Sequence, residues 1–258
     1  MNQQTPCFIV NLDSDTGRRR SMECALKNAG VRAEFFSALD GRLMSEEVLE
    51  SHVDRTRAER EYGALARAEI GTSLSHIFIY REMVKRNLPY AVILEDDVCL
   101  DNGFDQLLQS GSANALESLF ASSEPAMIQL SHVNRAYRWP VKLLGTTARS
   151  AVRPYGAVWL TSGYFITLAA AKLLAEGLYP VWAVADYWDR FQQLRLVRLW
   201  ALTPNAVWES TEAQNSNISA ERMPRRKPRK TLRSHLQRIG HELIVKPMFV
   251  RRLQKIPT

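Results

Sequence analysis

The sequence predicts an α/β chain, a three-layer sandwich built on a mostly parallel sheet. Short apolar, β-branched runs alternate with segments of helical spacing, the pattern of strands joined by crossover helices. One run, Ala91-Val92-Ile93-Leu94, leads directly into Glu95-Asp96-Asp97. In open α/β sheets ligands collect at the carboxyl ends of the strands, so this run marks a buried strand and a site together. Charge then divides the chain. From Arg222 onward twelve Lys and Arg face Glu242 alone, a net +11, while the remaining 22 bases and 26 acids give −4. The expected organisation is an acidic body over residues 1–221 and a basic, partly helical tail over 222–258.

The elements follow in order. Cys7 to Leu12 reads as the first strand. A helix begins within Asp13 to Ser21 and runs to Asn28, where Gly30 stops it. Ala33 to Ala38 is a second strand, ended by the turn pair Asp40-Gly41. The charged stretch to Arg60 predicts short helices. Leu65 to Arg86 predicts a long helix with Ile70, Leu74, Ile77, Phe78 and Val84 at helical spacing. After the acidic strand, Phe104 to Phe120 reads as helix and Met127 to Leu130 as strand, and residues 135–153 contain a hairpin. Gly163 to Thr167 is a strand feeding a helix, Leu168 to Glu176, which Gly177 stops. Residues 184–195 read as helix and Leu196 to Leu202 as a late strand. In the tail Leu232, Leu236, Ile239 and Leu243 keep helical spacing among bases, and Pro247 breaks that helix.

Several classes are disfavoured. No apolar run approaches the length of a membrane-spanning helix, and Met1 to Pro6 lacks the basic region of a secretory signal. Cys7, Cys24 and Cys99 share no metal-like spacing and read as reduced thiols of a cytoplasmic protein. The chain contains no G-x-G, no H-E-x-x-H and no G-x-S-x-G. It therefore lacks the glycine loops that cradle phosphates and the common hydrolase signatures.

Three adjacent carboxylates repel one another, and a divalent cation is the usual reason to keep them together. Hard oxygen donors suit Mn²⁺ or Mg²⁺. Strand alternation points Glu95 and Asp97 to one side as ligands and Asp96 to the other. Asn11, Arg18 and Asp40 follow the first two strands, where a nucleotide would lie, and Arg18 or Arg19 would meet a phosphate. For Arg19 and Arg20 a solvated helix start is the stronger reading. His132 follows a strand and is a weaker ligand candidate. Asp186, flanked by Trp182, Tyr187 and Trp188, suits a general base, and equally a helix-start acid stabilised by the dipole. Tyr187, Trp188, Trp159 and Tyr164 suit stacking on sugar rings, or the core.

The ordered set Asn11-Leu12, Arg18-Arg19, Ala38-Leu39-Asp40-Gly41, Glu69 to His76 and Ile93 to Asp97 resembles glycosyltransferase family 25. Ser162 to Ile166 followed by Ala171-Lys172-Leu173-Leu174 is similar to a later stretch of that family, and Gln214 with Ser216-Asn217-Ile218 matches its closing pattern loosely. The family includes bacterial lipooligosaccharide galactosyltransferases and collagen galactosyltransferases. The resemblance covers roughly residues 6–218. It implies a GT-A-like fold, a nucleotide-sugar donor and a divalent metal, with Glu95-Asp96-Asp97 as a variant Asp-x-Asp motif. It makes Glu69 and His76, seven apart on one helix face, candidates for donor binding, with Asp96 toward the ribose or donor sugar. Asp186 falls where the family tends to place an acid, and Tyr187 and Trp188 then face the acceptor.

The resulting expectation is transfer of a hexose, galactose from UDP-galactose first, onto a hydroxyl of a lipooligosaccharide-type acceptor with inversion. The alternative is a metal-dependent phosphohydrolase or nuclease, its basic tail binding phosphates. The tail's apolar stripe favours an anionic membrane over nucleic acid as its partner. That places the enzyme in the cytoplasm, peripherally on the inner face of the cell membrane and beside a lipid-linked acceptor.

Overall fold

A computed structural model describes residues 4–210 and 246–254. In chain order the strands are β1 (Cys7–Asn11), β2 (Glu34–Ser37), β3 (Tyr90–Glu95), β4 (Val98–Leu100), β5 (Ala126–Gln129), β6 (Arg135–Leu143), β7 (Ser150–Pro154), β8 (Gly163–Thr167), β9 (Arg198–Thr203), β10 (Val207–Glu209) and β11 (Val250–Arg252). The helices are α1 (Thr16–Asn28), α2 (Glu46–Ser51), α3 (Arg55–Glu61), α4 (Arg67–Lys85), α5 (Phe104–Leu108), α6 (Leu168–Gly177), α7 (Trp188–Gln193) and α8 (Lys246–Phe249). A 3₁₀ turn spans Leu116–Leu119.

Nine strands form one sheet in the order β11-β6-β7-β9-β5-β8-β3-β1-β2. β1 pairs in parallel with β2 and β3, and β5 with β9, while β8, β7 and β11 run against their neighbours. Strand direction is thus mostly shared, as expected, while the pairing of neighbours is mixed. β1 shows why there are three layers. Its alternate residues Phe8 and Val10 join a core with Ile70, Leu74 and Ile77 of α4 and Leu174 of α6. Cys7 and Ile9 join the opposite core with Met22 and Leu26 of α1 and Phe104 of α5. A strand buried on both faces cannot show polar alternation, and its continuous apolar run follows.

Some expected elements differ. The helix expected over Phe104 to Phe120 stops at Leu108. Gly111 takes φ 79°, and the Glu117 carboxylate accepts hydrogen bonds from the Gly111 amide at 2.7 Å and the Ser110 hydroxyl at 3.0 Å. Those local bonds hold a loop where periodicity alone suggested helix. The helix expected from residue 184 begins at Trp188. β4 and β10, which periodicity did not mark, pair in a small separate sheet.

Of the basic segment, only residues 246–254 are described. There β11 adds an edge strand to β6, with Val250 buried. The amphipathic stretch Leu232 to Leu243 lies outside the described residues. The three cysteines are free thiols. No helix among the described residues is long and apolar enough to cross a membrane.

Candidate active site

Because β1, β2 and β3 are parallel, their carboxyl ends meet at one edge of the sheet. Asn11 ends β1, Asp40 follows β2 and Glu95 ends β3. Asp40 and Glu95 line a pocket open to solvent, together with Asp96 and with Arg18 and Asp15 at the start of α1, and Asn11 joins it through its hydrogen bond to Asp96.

One wall depends on two glycines. The turn Leu39-Asp40-Gly41 lies directly on the first turns of α4. A Cβ at Gly71 would stand 2.4 Å from the Leu39 carbonyl oxygen and 2.5 Å from the Gly41 nitrogen. The Leu39 amide donates to Ser75 Oγ at 2.9 Å, and that hydroxyl donates to the Gly71 carbonyl at 2.8 Å. Asp40 itself is held by Arg42, whose Nε and Nη2 donate to its two oxygens at 2.8 and 2.7 Å. Those hydrogen bonds hold the Asp40 carboxyl below its usual pKa, against a smaller opposing effect of burial.

The acidic run turns at its end. β3 stops at Glu95, and Asp96 and Asp97 occupy the turn into β4, so strand alternation does not govern them. Both turn toward Arg18, whose Nη1 lies 3.3 Å from Asp96 Oδ1 and 3.3 Å from Asp97 Oδ2. Asn11 Nδ2 donates to Asp96 Oδ2 at 2.7 Å, while the buried Asn11 Oδ1 lacks a partner. Glu95 faces elsewhere and accepts a hydrogen bond from the Thr161 hydroxyl. Burial, with Asp97, Asp96 and Asp186 nearby, pushes the Glu95 carboxyl up to about 7. Burial also raises Asp97, with Asp96 and Glu209 adding to the shift and Arg18 opposing it.

Across from these acids the segment Val158 to Ser162 closes the site. Leu160 takes φ 81°, a left-handed conformation costly for a bulky residue. Its amide donates to Asp186 Oδ2 at 3.2 Å, and its carbonyl accepts from Trp188 Nε1 at 3.0 Å and Gln129 Nε2 at 3.3 Å. Next to it, Trp159 and Tyr187 stack 6.0 Å apart at 15°. Both rings are partly exposed, and they form an aromatic platform beside Asp186.

The structure therefore brings Asn11, Arg18, Asp40, Glu95, Asp96, Asp97, Asp186 and Tyr187 to one region. It puts three other candidates behind the pocket wall. Glu69 is buried at the start of α4, where Oε2 accepts from the Ala66 amide at 2.9 Å and caps the helix. His76 is buried, bonded through Nδ1 to the Tyr164 hydroxyl at 2.7 Å, and burial lowers its pKa to about 4. It is a neutral core histidine. Trp188 is fully buried against Tyr164 and Phe191, with ring centroids 5.2 and 5.8 Å apart. His132 lies in a separate groove beyond Leu160. Arg19 sits over the Phe35 ring and pairs with Glu23.

The profile of glycosyltransferase family 25 (LPS biosynthesis protein) matches residues 4–188. The chain belongs to glycosyltransferase family 25. A "Glycosyltransferase 25 family member" of Drosophila melanogaster is 32% identical over 221 residues, covering 80% of this chain and 32% of that protein. "Lacto-N-neotetraose biosynthesis glycosyltransferase LgtE" of Neisseria meningitidis serogroup B is 25% identical, covering 71% of this chain and 65% of that protein. "Procollagen galactosyltransferase 2" of Homo sapiens is 26% identical over 65% of this chain and 26% of that protein. The chain spans about a third of the length of the Drosophila relative. An "Inactive glycosyltransferase 25 family member 3" of Mus musculus also matches, at 31% identity.

Within this family 25 chain, two of the sequence motifs explain each other. Ala38 to Gly41 and Glu69 to His76 are the two surfaces of the Gly41–Gly71 contact. Thr161, Leu160, Arg42 and Asp15 were not singled out by sequence. Asp15 alone left a signal, as an acid three residues before Arg18 at a helix start; its Oδ1 accepts from the Arg18 amide at 3.2 Å.

Proposed function

We propose that the chain transfers a hexose from a nucleotide-sugar donor to a glycan hydroxyl, with galactose from UDP-galactose as the first donor to test. One observation carries this reading. The ends of three parallel strands gather Arg18, Asp40, Glu95 and Asp96 round a pocket, Asn11 and Asp97 bond to its Asp96 and Arg18, and Asp186 is near enough to Glu95 to help raise its pKa. Family membership supports transfer over the phosphohydrolase alternative. Relatives named as procollagen galactosyltransferase and lacto-N-neotetraose biosynthesis glycosyltransferase support galactose and a glycan acceptor.

The donor set fits a divalent metal. Four carboxylates, Glu95, Asp96, Asp97 and Asp186, lie close together, and their ion pairs among the described residues all go to Arg18. A Glu95 carboxyl held near 7 by burial and like charge lacks a countercharge. Among the described residues no three His, Cys, Asp or Glu already stand in metal-binding geometry. To supply two ligands, Glu95 would have to turn from Thr161 and Asp97 from Arg18, and the donor's phosphates would supply the others, as is common for Mg²⁺ and Mn²⁺. When bound, the ion supplies charge stabilisation to the departing diphosphate. The chain's own residues do the rest. Arg18 meets phosphate oxygens, and Asn11 holds Asp96 in place for the ribose or donor sugar. Asp186, aimed by the Leu160 amide, takes the proton from the acceptor hydroxyl as it attacks the anomeric carbon from the side opposite the leaving group. Tyr187 and Trp159 stack on the acceptor ring.

Membrane association belongs to the same proposal. Trp139, Leu143, Met248 and Phe249 are exposed apolar residues, with fractional exposures of 69, 75, 62 and 45%. They lie on β6 and on α8, which packs against it, and together with the basic segment they suit an anionic, lipid-bearing surface and a lipid-linked acceptor.

The test is thermal unfolding with Mn²⁺ and a panel of UDP-galactose, UDP-glucose, UDP-N-acetylglucosamine and CMP-sialic acid. The expected result is a rise in Tm that needs both the metal and one UDP-sugar and disappears in Asp97→Ala. Absence of any nucleotide-sugar response would return weight to phosphohydrolase chemistry.

A further inference from the structure

A second groove, separate from the donor pocket, is lined by Trp159 and Leu160 together with Tyr155, Arg135 and Arg252. At Trp159 and Leu160 it adjoins the base, since Leu160 donates to Asp186 and Trp159 stacks on Tyr187. An acceptor reaching Asp186 past the aromatic platform would lie in this groove.

Arg135 and Arg252 are direct register partners across the antiparallel β6–β11 pair. Residues opposite one another in such a pair project to the same face, about 5 Å apart at Cβ, and like charges there repel. Neither arginine has an ion-pair partner among the described residues, and Arg252 is exposed. β11, which presents Arg252, comes from the C-terminal segment, more than a hundred residues after β6 in the chain. A late strand thus returns to the sheet edge and sets a second guanidinium beside the first. An anion between them would turn the repulsion into two charge-assisted contacts.

We propose that this groove is the acceptor site and that Arg135 and Arg252 bind an anionic substituent of the acceptor glycan, a carboxylate or a phosphate. The inference rests on the transferase reading and names the acceptor class for it. The anionic group sits at the mouth of the groove, the acceptor ring lies on Trp159 and Tyr187, and the reacting hydroxyl points to Asp186. The C-terminal strand is then part of the substrate site.

The experiment is isothermal titration of the full chain with methyl β-glucoside, methyl β-glucuronide and the methyl β-glucoside 6-phosphate. The anionic glycosides should bind about tenfold more tightly than the neutral one, the scale of one or two hydrogen bonds to charged groups. The preference should weaken with salt, fall in R135Q and in R252Q, and vanish in the double variant. R135K, which keeps the charge, should retain most of it. The carboxylate and phosphate arms decide which anion is read. Equal affinity for charged and neutral glycosides, no binding of any of the three, or a preference intact in the double variant would each overturn the proposal. The UDP-sugar thermal shift is run on the same samples and should not change in the arginine variants. If that shift is present and the anion preference absent, only the acceptor inference fails. If the shift is absent in the unaltered chain, the transferase reading itself fails.

Discussion

Gly71→Ala is the sharpest test of how the donor pocket is built, because two effects of opposite sign meet at one residue. Gly71 lies inside α4, where alanine is intrinsically better than glycine by about 1 kcal/mol. A helix that merely tolerated glycine would be stabilised. The added Cβ, however, would stand 2.4 Å from the Leu39 carbonyl and 2.5 Å from the Gly41 nitrogen, both backbone atoms. Real Cβ contacts do not fall below 3.0 Å, so the Leu39–Gly41 turn must retreat by more than half an ångström. Overpacking of this kind costs roughly 1–3 kcal/mol. The Leu39 amide also loses its bond to Ser75 Oγ, about 1 kcal/mol more. The net expectation is destabilisation by roughly 1–3 kcal/mol after the helix gain is subtracted. That is about 2–4 °C of Tm per kcal/mol for a chain of this size. Urea unfolding followed by circular dichroism measures it. Nucleotide-sugar affinity, measured well below the transition, should fall as well, because the displaced turn carries Asp40 into the pocket. An unchanged or higher urea midpoint would refute the claim that the two motifs are one contact.

Other perturbations have equally definite expectations. Glu95 has a folded pKa of about 7 against an ordinary value of 4.5, so the folded state binds more protons than the unfolded one between those values. Metal-free stability should therefore decline as pH rises from about 4.5 to 7, by at most about 3 kcal/mol, and Glu95→Gln should flatten that slope in pH-dependent urea titrations. Thr161→Val removes the hydrogen bond that favours ionised Glu95 and should extend the same decline to higher pH, its onset near 4.5 unchanged; no extension would show that Thr161 does not tune the group. Asp186→Asn keeps an oxygen to accept from Leu160 but removes the base, and should lower kcat by about 10²-fold or more with Tm unchanged. Activity within a few-fold of the unaltered chain would exclude Asp186 as base. Tyr187→Ala should raise the KM for acceptor while the donor-induced thermal shift stays in place, and equal effects on both would place the ring outside the acceptor path.

What the sequence made legible follows the range of the forces involved. Helices α1, α4 and α6 are marked by helical spacing, and strands β1, β3, β5, β8 and β9 by short continuous apolar runs, because they are buried on both faces. That Asn11, Arg18, Asp40 and the acidic run would lie together was legible because parallel strands end on a common side of the sheet. Features set by long-range contact were not. Glu69 and His76 share a helix face, but that face turns to Ala66 and Tyr164, which no spacing rule reveals. Strand alternation separated Asp96 from Asp97, yet the backbone turns after Glu95 and a guanidinium from α1 gathers them both. β4 and β10 are three residues each and pair across more than a hundred positions, too short to carry a period. β11 was hidden for a different reason: its bases read as part of a basic, membrane-associating tail, and only its register with β6 shows a strand.

The segment Val158 to Ser162 ties these long-range features into one device. Val158 meets Asp189 through its amide, Trp159 meets Tyr187, Leu160 meets Asp186, Trp188 and Gln129, and Thr161 meets Glu95. Consecutive residues thus contact both the carboxylates at the strand ends and the Trp159–Tyr187 rings beside Asp186. A leucine at φ 81° persists only where its surroundings over-determine it, and here three hydrogen bonds to its own amide and carbonyl do so. That conformation lets neighbouring residues reach opposite walls: a regular strand would send Thr161 and Trp159 to the same face and Leu160 away from both. The strain is therefore best understood as the cost of holding Asp186 and Glu95 at a fixed separation. Relaxing it at Leu160 should disturb the chemistry more than the stability of the fold.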